Sequence, residues 1–258
     1  MNSKYRFTSL FGFLLIICVL QVSGQKFMKL DTGLKENSTP MAAKRKGIST
    51  VGKYEFGPYR IVSGKGGVTN TRTKTGLISN DTEIRSENRY SFVFVGNGKD
   101  TVIANISENS NIEIDDRNNF IFRKIFNWSD SEIIEAMESF VTNFSPLHSD
   151  AKWDLVLVYP IPVEVDGYYQ TDQKTKFHGI LSDGSTEIEI RHVDEWEDGK
   201  TTIFNPTEGF EFFINSRSIA AVQVFPINKM FVWIHQDMNE DMKLVLATAA
   251  AALMVKTF

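Results

Sequence analysis

The last twenty residues of the chain constrain its fold more than any other stretch. Residues 239–258 open on Asn239, which predicts a helix N-cap, followed by Glu240 and Asp241 in the first turn, where acids favour the positive end of the helix dipole. Lys256 falls in the last turn, where a cation is favoured. Between them, Leu244-Val-Leu-Ala-Thr-Ala-Ala-Ala-Ala-Leu-Met-Val255 carries no charge on any face. A helix that is apolar all round is a buried helix. These roughly 12 residues reach about 18 Å, well short of the ~30 Å of a bilayer core. Something in the same chain must therefore wrap the helix, and Leu244, Val245, Leu246, Ala249, Ala252 and Leu253 are expected inside that wrapping.

The rest of the chain reads as strand after strand. Tyr90-Ser-Phe-Val-Phe-Val95 and Thr101-Val-Ile-Ala-Asn-Ile106 flank a short Gly/Asn turn, the clearest hairpin signal present. Trp153-Asp-Leu-Val-Leu-Val-Tyr159 is a nearly continuous apolar strand, ended by Pro160 and Pro162. Residues 176–181 and 186–192 form a second hairpin about Ser182-Asp-Gly-Ser185, with Glu187, Glu189 and Arg191 alternating with Ile188 and Ile190. Residues 52–63 alternate around Gly57-Pro58, which predicts a bent or edge first strand. One amphipathic helix is expected mid-chain. Ser129-Asp-Ser-Glu132 spells a capping box, and Ile133, Ile134, Met137, Phe140, Val141 and Phe144 follow at helical spacing before Pro146. The fold class is mainly β (α+β): one antiparallel β-barrel of about 10–12 strands enclosing the C-terminal helix, with the mid-chain helix over an end or side.

The chain's ending carries a likeness to a known family. Gly209-Phe-Glu-Phe-Phe-Ile-Asn-Ser-Arg-Ser-Ile-Ala-Ala-Val-Gln-Val224 reads as two paired strands, and Met230-Phe-Val-Trp-Ile234 as a third. Asp241-Met-Lys then opens a helix of small and apolar residues. This pattern, over residues 209–258, resembles the tubby-like family, which includes the phospholipid scramblases. The resemblance implies a closed antiparallel barrel around a hydrophobic C-terminal helix. It also implies recognition of lipid headgroups or membranes by the barrel's exterior or end loops, though no headgroup-binding residue matches by position.

The first 24 residues read as an address. Lys4 and Arg6 form a positive region, residues 7–20 an apolar run, and Val22-Ser-Gly24 a small-residue cleavage site before Gln25. Cys18 is the only cysteine, so cleavage leaves a mature chain without disulfide, thiol nucleophile or thiolate metal site. The expected location is the periplasm, the outer envelope or the exterior, with no transmembrane span in the mature chain. Residues 25–50 are polar, with Lys44-Arg-Lys46 as solvated charge, and are expected to be a linker or arm. Residues 51–258 are expected to form one domain. A net charge of −4 gives no general attraction to nucleic acid or anionic membranes.

Tests for chemistry mostly fail. Ser63-Gly-Lys-Gly-Gly-Val-Thr-Asn-Thr-Arg-Thr-Lys-Thr-Gly76 lacks the phosphate-loop spacing and reads as a Gly/Thr-rich hairpin loop. Asp115-Asp-Arg-Asn-Asn119 lacks the calcium-loop spacing. None of His148, His178, His192 and His235 sits at a metal-ligand spacing. The nearest approach to a site is His192 beside Asp194, Glu195, Glu197 and Asp198, where a strand end and an acidic loop offer oxygen ligands or an acid/base pair. These five are the candidate binding residues; no catalytic residue, metal or cofactor is assigned. Glycosylation sequons occur at Asn37, Asn80, Asn105, Asn127 and Asn143.

These features favour an exported, non-enzymatic binding or structural protein of the envelope or exterior, with a lipid or envelope surface as the partner that the resemblance implies. Two alternatives stand beside it: a lipocalin-like carrier of a small apolar ligand, and a hydrolase working through His192 and the 194–198 loop.

Overall fold

A computed structural model describes residues 26–47, 51–75, 82–96, 100–110, 137–147, 150–160, 163–165, 168–170, 177–202 and 204–256. The chain runs through α1 (Thr32–Glu36), β1 (Met41–Ala42), β2 (Lys44–Lys46), β3 (Lys53–Phe56), β4 (Tyr59–Thr75), β5 (Thr82–Val95), β6 (Thr101–Ser110), β7 (Met137–Pro146) and β8 (Trp153–Pro160). It continues through β9 (Val163–Val165), β10 (Tyr168–Gln170), β11 (His178–Ser182), β12 (Glu187–Val193), β13 (Glu208–Ile214), β14 (Arg217–Phe225), β15 (Phe231–Ile234) and α2 (Glu240–Val255). Strands β9 and β10 pair only with each other, and the other thirteen form one antiparallel sheet.

That sheet curls into a nearly closed barrel. Its order is β1-β15-β14-β13-β12-β11-β8-β7-β6-β5-β4-β3-β2, so the two edge strands are consecutive in sequence. Met41 and Ala42 pair with Val232 and Phe231, and the Ala43 N–H donates to the Met230 carbonyl at 2.9 Å. Lys44, Arg45 and Lys46 then pair with Glu55, Tyr54 and Lys53. Residues 41–46 are thus one stretch stitched to both margins.

The wall follows the period-2 rule. Phe92 and Phe94 on β5, Ala104 and Ile106 on β6, Leu155 and Leu157 on β8, and Phe210 and Phe212 on β13 all point inward and are buried. Ile103, Asn105, Asn143 and Glu189 point out. Asn215 and Ser216 make the β13–β14 turn with φ of 49° and 66°, the left-handed pair that a tight two-residue hairpin needs.

Inside lies α2. The Asn239 side chain accepts from the Met242 N–H at 2.8 Å, capping the helix as expected, and Glu240 and Asp241 occupy its first turn. Every residue from Leu244 to Val255 is buried. The helix touches β14 and β15 on one side and β6 and β7 on the other. The Thr248 hydroxyl, the one polar side chain in that stretch, donates to the Leu244 carbonyl at 2.8 Å. No helix among the described residues is long and apolar enough to cross a membrane.

Several expectations need correction. Residues 26–47, expected as a polar linker, belong to the fold: they supply the barrel's seam and a strap over its outer wall. Met28 and Leu34 from the strap pack on Ala221, Phe231 and Trp233, and Phe27 meets Phe231 and Trp233 edge-on at 4.9 and 5.6 Å. The Met28 N–H donates to Gln223 Oε1 at 2.8 Å, and the Asp31 N–H to Glu211 Oε1 at 2.9 Å. Lys44-Arg-Lys46 is exposed, as solvated charge should be, yet its backbone is a barrel strand.

The mid-chain helix is also corrected where it can be seen. Residues 137–146 form β7, on which Phe140, Thr142 and Phe144 face the core. A spacing of four puts Phe140 and Phe144 on one face of a helix or of a strand, so periodicity alone did not separate the two. The proposed cap at Ser129–Glu132 and the positions Ile133 and Ile134 lie outside the described residues. The Gly/Thr-rich stretch 63–75 is part of β4, paired with β5, and not a loop. Gly57-Pro58 is the turn between β3 and β4, with Gly57 at φ 52°. Fifteen strands are described; counting residues 41–46 as one strand shared by two margins leaves twelve in the barrel. The predicted signal sequence, Cys18, the 115–119 loop, His148, Asn80 and Asn127 all lie outside the described residues.

Enclosure of α2 is testable. Its amides from residue 244 to 255 are expected to exchange with solvent only through global unfolding. Ala251→Leu, at a fully buried helix position, is expected to cost about 1–3 kcal/mol in urea denaturation by overpacking. Rapid exchange, or a neutral substitution, would show that the helix is not enclosed.

Candidate functional site

The five residues singled out in the sequence do not converge on one centre. His192 sits exposed near the end of β12, its ring 5.7 Å from Phe177 and 5.6 Å from Phe210, with Nε2 3.4 Å from Glu208 Oε1. The acidic loop beyond it faces the strap. Lys29 Nζ reaches Glu195 at 2.6 Å, Lys26 Nζ reaches Asp198 at 3.1 Å, and Lys35 pairs with Glu197. The backbone is stitched as well: the Lys29 N–H donates to the Glu195 carbonyl, and the Glu197 N–H to that of Phe27. The Asp198 carboxyl is held below its usual range by the Lys200 backbone N–H and then by Lys26. Asp194 is exposed. Three carboxylates of the loop are therefore occupied in holding residues 26–36 to the wall.

Trp196, at the centre of that loop, is buried, and its indole N–H donates to the Asn205 carbonyl at 2.8 Å. Its burial anchors the loop far more than the exposed ion pairs do, since exposed pairs contribute little in water. Trp196→Ala is expected to cost about 3–5 kcal/mol in denaturant unfolding. Glu195→Gln should leave the midpoint almost unchanged; the reverse ranking would make the ion pairs the real fastening.

The two barrel ends differ in chemistry. At the end where α2 terminates, Lys256 Nζ lies 3.7 Å above the Tyr159 ring. Burial pushes the Lys256 ammonium pKa down, and Glu208, Glu138 and Glu108 oppose that shift. Burial pushes the Tyr159 phenol up, and the same three carboxylates add to the rise. The Tyr90 hydroxyl donates to Glu108 Oε2. Glu108 Oε1, Asn88 Oδ1 and the Tyr159 hydroxyl are buried without a hydrogen bond among the described residues. This polar lining receives the end of an otherwise apolar helix.

At the other end, where α2 enters, there is a recess of about 340 Å³. The β5–β6 turn brings Asp100, the β11–β12 turn brings Asp183, and the first turn of α2 brings Asp241. Trp153, Leu147, Met242, Leu244 and Val245 supply its apolar surface. Asp183 Oδ1 accepts from the Ser185 N–H and hydroxyl and from the Thr186 N–H, at 2.9, 2.8 and 2.6 Å. Burial opposes these bonds, but they prevail and hold the carboxyl below its usual range. The neighbouring wall is tight: a Cβ on Gly96 would lie 2.7 Å from Leu244 Cδ1. No group of three His, Cys, Asp or Glu among the described residues is placed to hold a metal ion.

Sequence reasoning missed this recess. Asp183 was legible as a turn residue and Asp241 as an acid of a helix start, but nothing local says that they meet Asp100 and Trp153. Only the strand order brings them together.

Tyr59 stands beside the same end, its ring stacked on Phe94 at 6.1 Å. Burial, and secondly Glu240, pushes its phenol up to about 12. Its folded pKa exceeds the unfolded one, so its contribution to stability is complete below about pH 10 and is lost as pH rises toward 12. In alkaline unfolding, Tyr59→Phe should flatten part of the decline between about pH 10 and 12; an unchanged profile would remove Tyr59 as its source.

Comparison of the chain with known protein families, with curated proteins and with solved structures finds no match. What the fold itself defines is a class: a nearly closed antiparallel β-barrel filled by its own C-terminal helix.

Proposed function

We propose that this is an exported, non-catalytic binding protein of the cell envelope or exterior that presents its ligand site at the mouth of a helix-filled barrel. The observation that carries this reading is the recess of about 340 Å³ at the point where α2 enters, lined by apolar side chains on one part and carboxylates on another. Convergent polar groups over an apolar floor are the usual form of a small-ligand site. Export rests on the charged, apolar and small-residue segments of residues 1–24.

The carrier alternative is less favoured because α2 stands where a lipocalin-like barrel would hold its ligand. The hydrolase alternative loses support because Glu195, Glu197 and Asp198 are engaged by lysines, while His192 faces Glu208 and two rings. A tubby-like relationship fits a barrel with an enclosed C-terminal helix and remains our reading of the ancestry. A lipid or envelope surface as partner rests on that relationship.

Protein recovered from the envelope or medium is expected to begin at Gln25, as read by intact mass. Small amphipathic molecules screened by NMR should shift Trp153, Met242 and Val245, and Ala151→Trp should plug the recess and abolish those shifts without unfolding the barrel. Binding that instead accelerates exchange of the α2 amides would favour the carrier. Turnover of a screened substrate that survives the plug would sink the non-catalytic reading.

A further inference from the structure

We infer that the mouth recess selects a ligand with a protonated amine head on a short apolar body, a class that rests on the binding reading above. The recess carries Asp100, Asp183 and Asp241, and no lysine, arginine or histidine stands among the described residues of its lining. The nearest cation on the same helix turn, Lys243, is tied to Glu240 at 2.9 Å. Each of the three aspartates comes from a different element, so folding of one element alone does not require the other two.

The amine class follows from charge and shape together. The start of α2 contributes about half a positive charge, too little to offset three carboxylates. Asp183 stays ionised because its Oδ1 is held by three donors of its own turn, and none of these bonds uses Oδ2. Trp153, Leu244 and Val245 are at most 6% exposed and form the deep apolar part. The volume is about eleven times the share of one liquid water, room for a short chain but not for a full lipid tail. An anionic headgroup would meet three carboxylates with no counter-charge among the described lining residues. An ammonium can sit at the rim while its chain lies on Trp153.

The test compares n-octylammonium, n-octanol and octanoate on the mature chain at neutral pH, by calorimetry and by NMR shifts at Trp153 and the first turn of α2. Octylammonium is expected to bind about tenfold or more tighter than octanol, and octanoate not at all. Raising the salt from about 0.01 to 0.15 M should weaken the amine selectively. The double variant Asp100→Asn, Asp241→Asn should lose most of the preference while lowering the unfolding midpoint only slightly, through the lost compensation of the helix terminus by Asp241; Asp183 is left intact because it builds its turn. Equal binding of octanol and octylammonium, or an unchanged preference in the double variant, would overturn the amine class and leave a binding recess standing. Preference for octanoate would mean that the helix terminus governs the site. If none of the three shifts recess residues, the amine class falls, and the wider screen with the Ala151→Trp plug then decides the recess itself.

Discussion

The structure depends on the enclosure of one helix. A stretch without a charged face for twelve residues has no stable place on a soluble surface, and at this length it cannot substitute a bilayer for protein. The barrel solves this by dividing volume between wall and filling. The helix brings small side chains, with Ala247 and Ala249 to Ala252 all buried, and the wall brings bulk in Phe92, Phe94, Phe140, Phe144, Phe210 and Phe212. Twelve strand positions around one helix leave a limited radius, and alanine on the helix lets those rings reach its axis.

Enclosure in turn requires closure, and closure falls to the other end of the chain. Residues 41–46 bond to β15 through their first half and to β3 through their second. The strap before them crosses to partners 162 to 195 residues away. The last strand and the helix are therefore complete only when residues 26–46 are in place. Contacts of such sequence separation carry a loop-closure cost before they return any stabilisation, which predisposes a barrel of this topology to fold slowly. The strap also explains an anomaly of burial. Strands β13 to β15 are covered on both faces, so Glu211, Ser218 and Gln223 are buried polar groups that would be costly if unpaired. Ser218 donates to Glu211 at 2.6 Å, Asp31 and Met28 bring backbone donors, and Gln223 Nε2 donates to the Lys229 carbonyl at 2.7 Å.

How much of this could be read from residues depended on whether the signal was local. The helix, its Asn239 cap and the hairpins at 90–106 and 178–193 were legible because propensity, periodicity and turn chemistry agreed there. The strap was not, because Met28 and Leu34 are isolated among polar residues and its backbone bonds leave no mark on composition. Strand β2 shows the same limit: pairing uses the backbone, so Lys44-Arg-Lys46 can be fully solvated and still close a barrel. For β4, the glycines and threonines suggested a loop, while the partner strand β5 supplied the order. The His192 grouping meets a different limit. Residues adjacent in sequence need not share a centre: the chain turns after β12, leaving His192 exposed beside Glu208 and three of the four acids against the strap.

The buried helix also organises charge at both barrel ends. Inside an apolar wall, the helix dipole is poorly screened by water, so its ends are where compensating charge is most effective. The negative end receives Lys256, which is itself poorly solvated and stands among Glu108, Glu138 and Glu208. The positive end receives Glu240 and Asp241, and the two turns beside it add Asp100 and Asp183. About half a charge is needed to balance the helix terminus. Glu240 is already paired with Lys243, and Asp241 alone exceeds what remains to be compensated. Asp100 and Asp183 are therefore surplus to the needs of the helix. Folding accounts for Asp183 as the acceptor of its own turn, but not for its place at a mouth that also holds two other carboxylates over a buried apolar floor. That excess at the mouth is the part of the electrostatics that stability does not explain, and it is where a cationic partner would be accommodated.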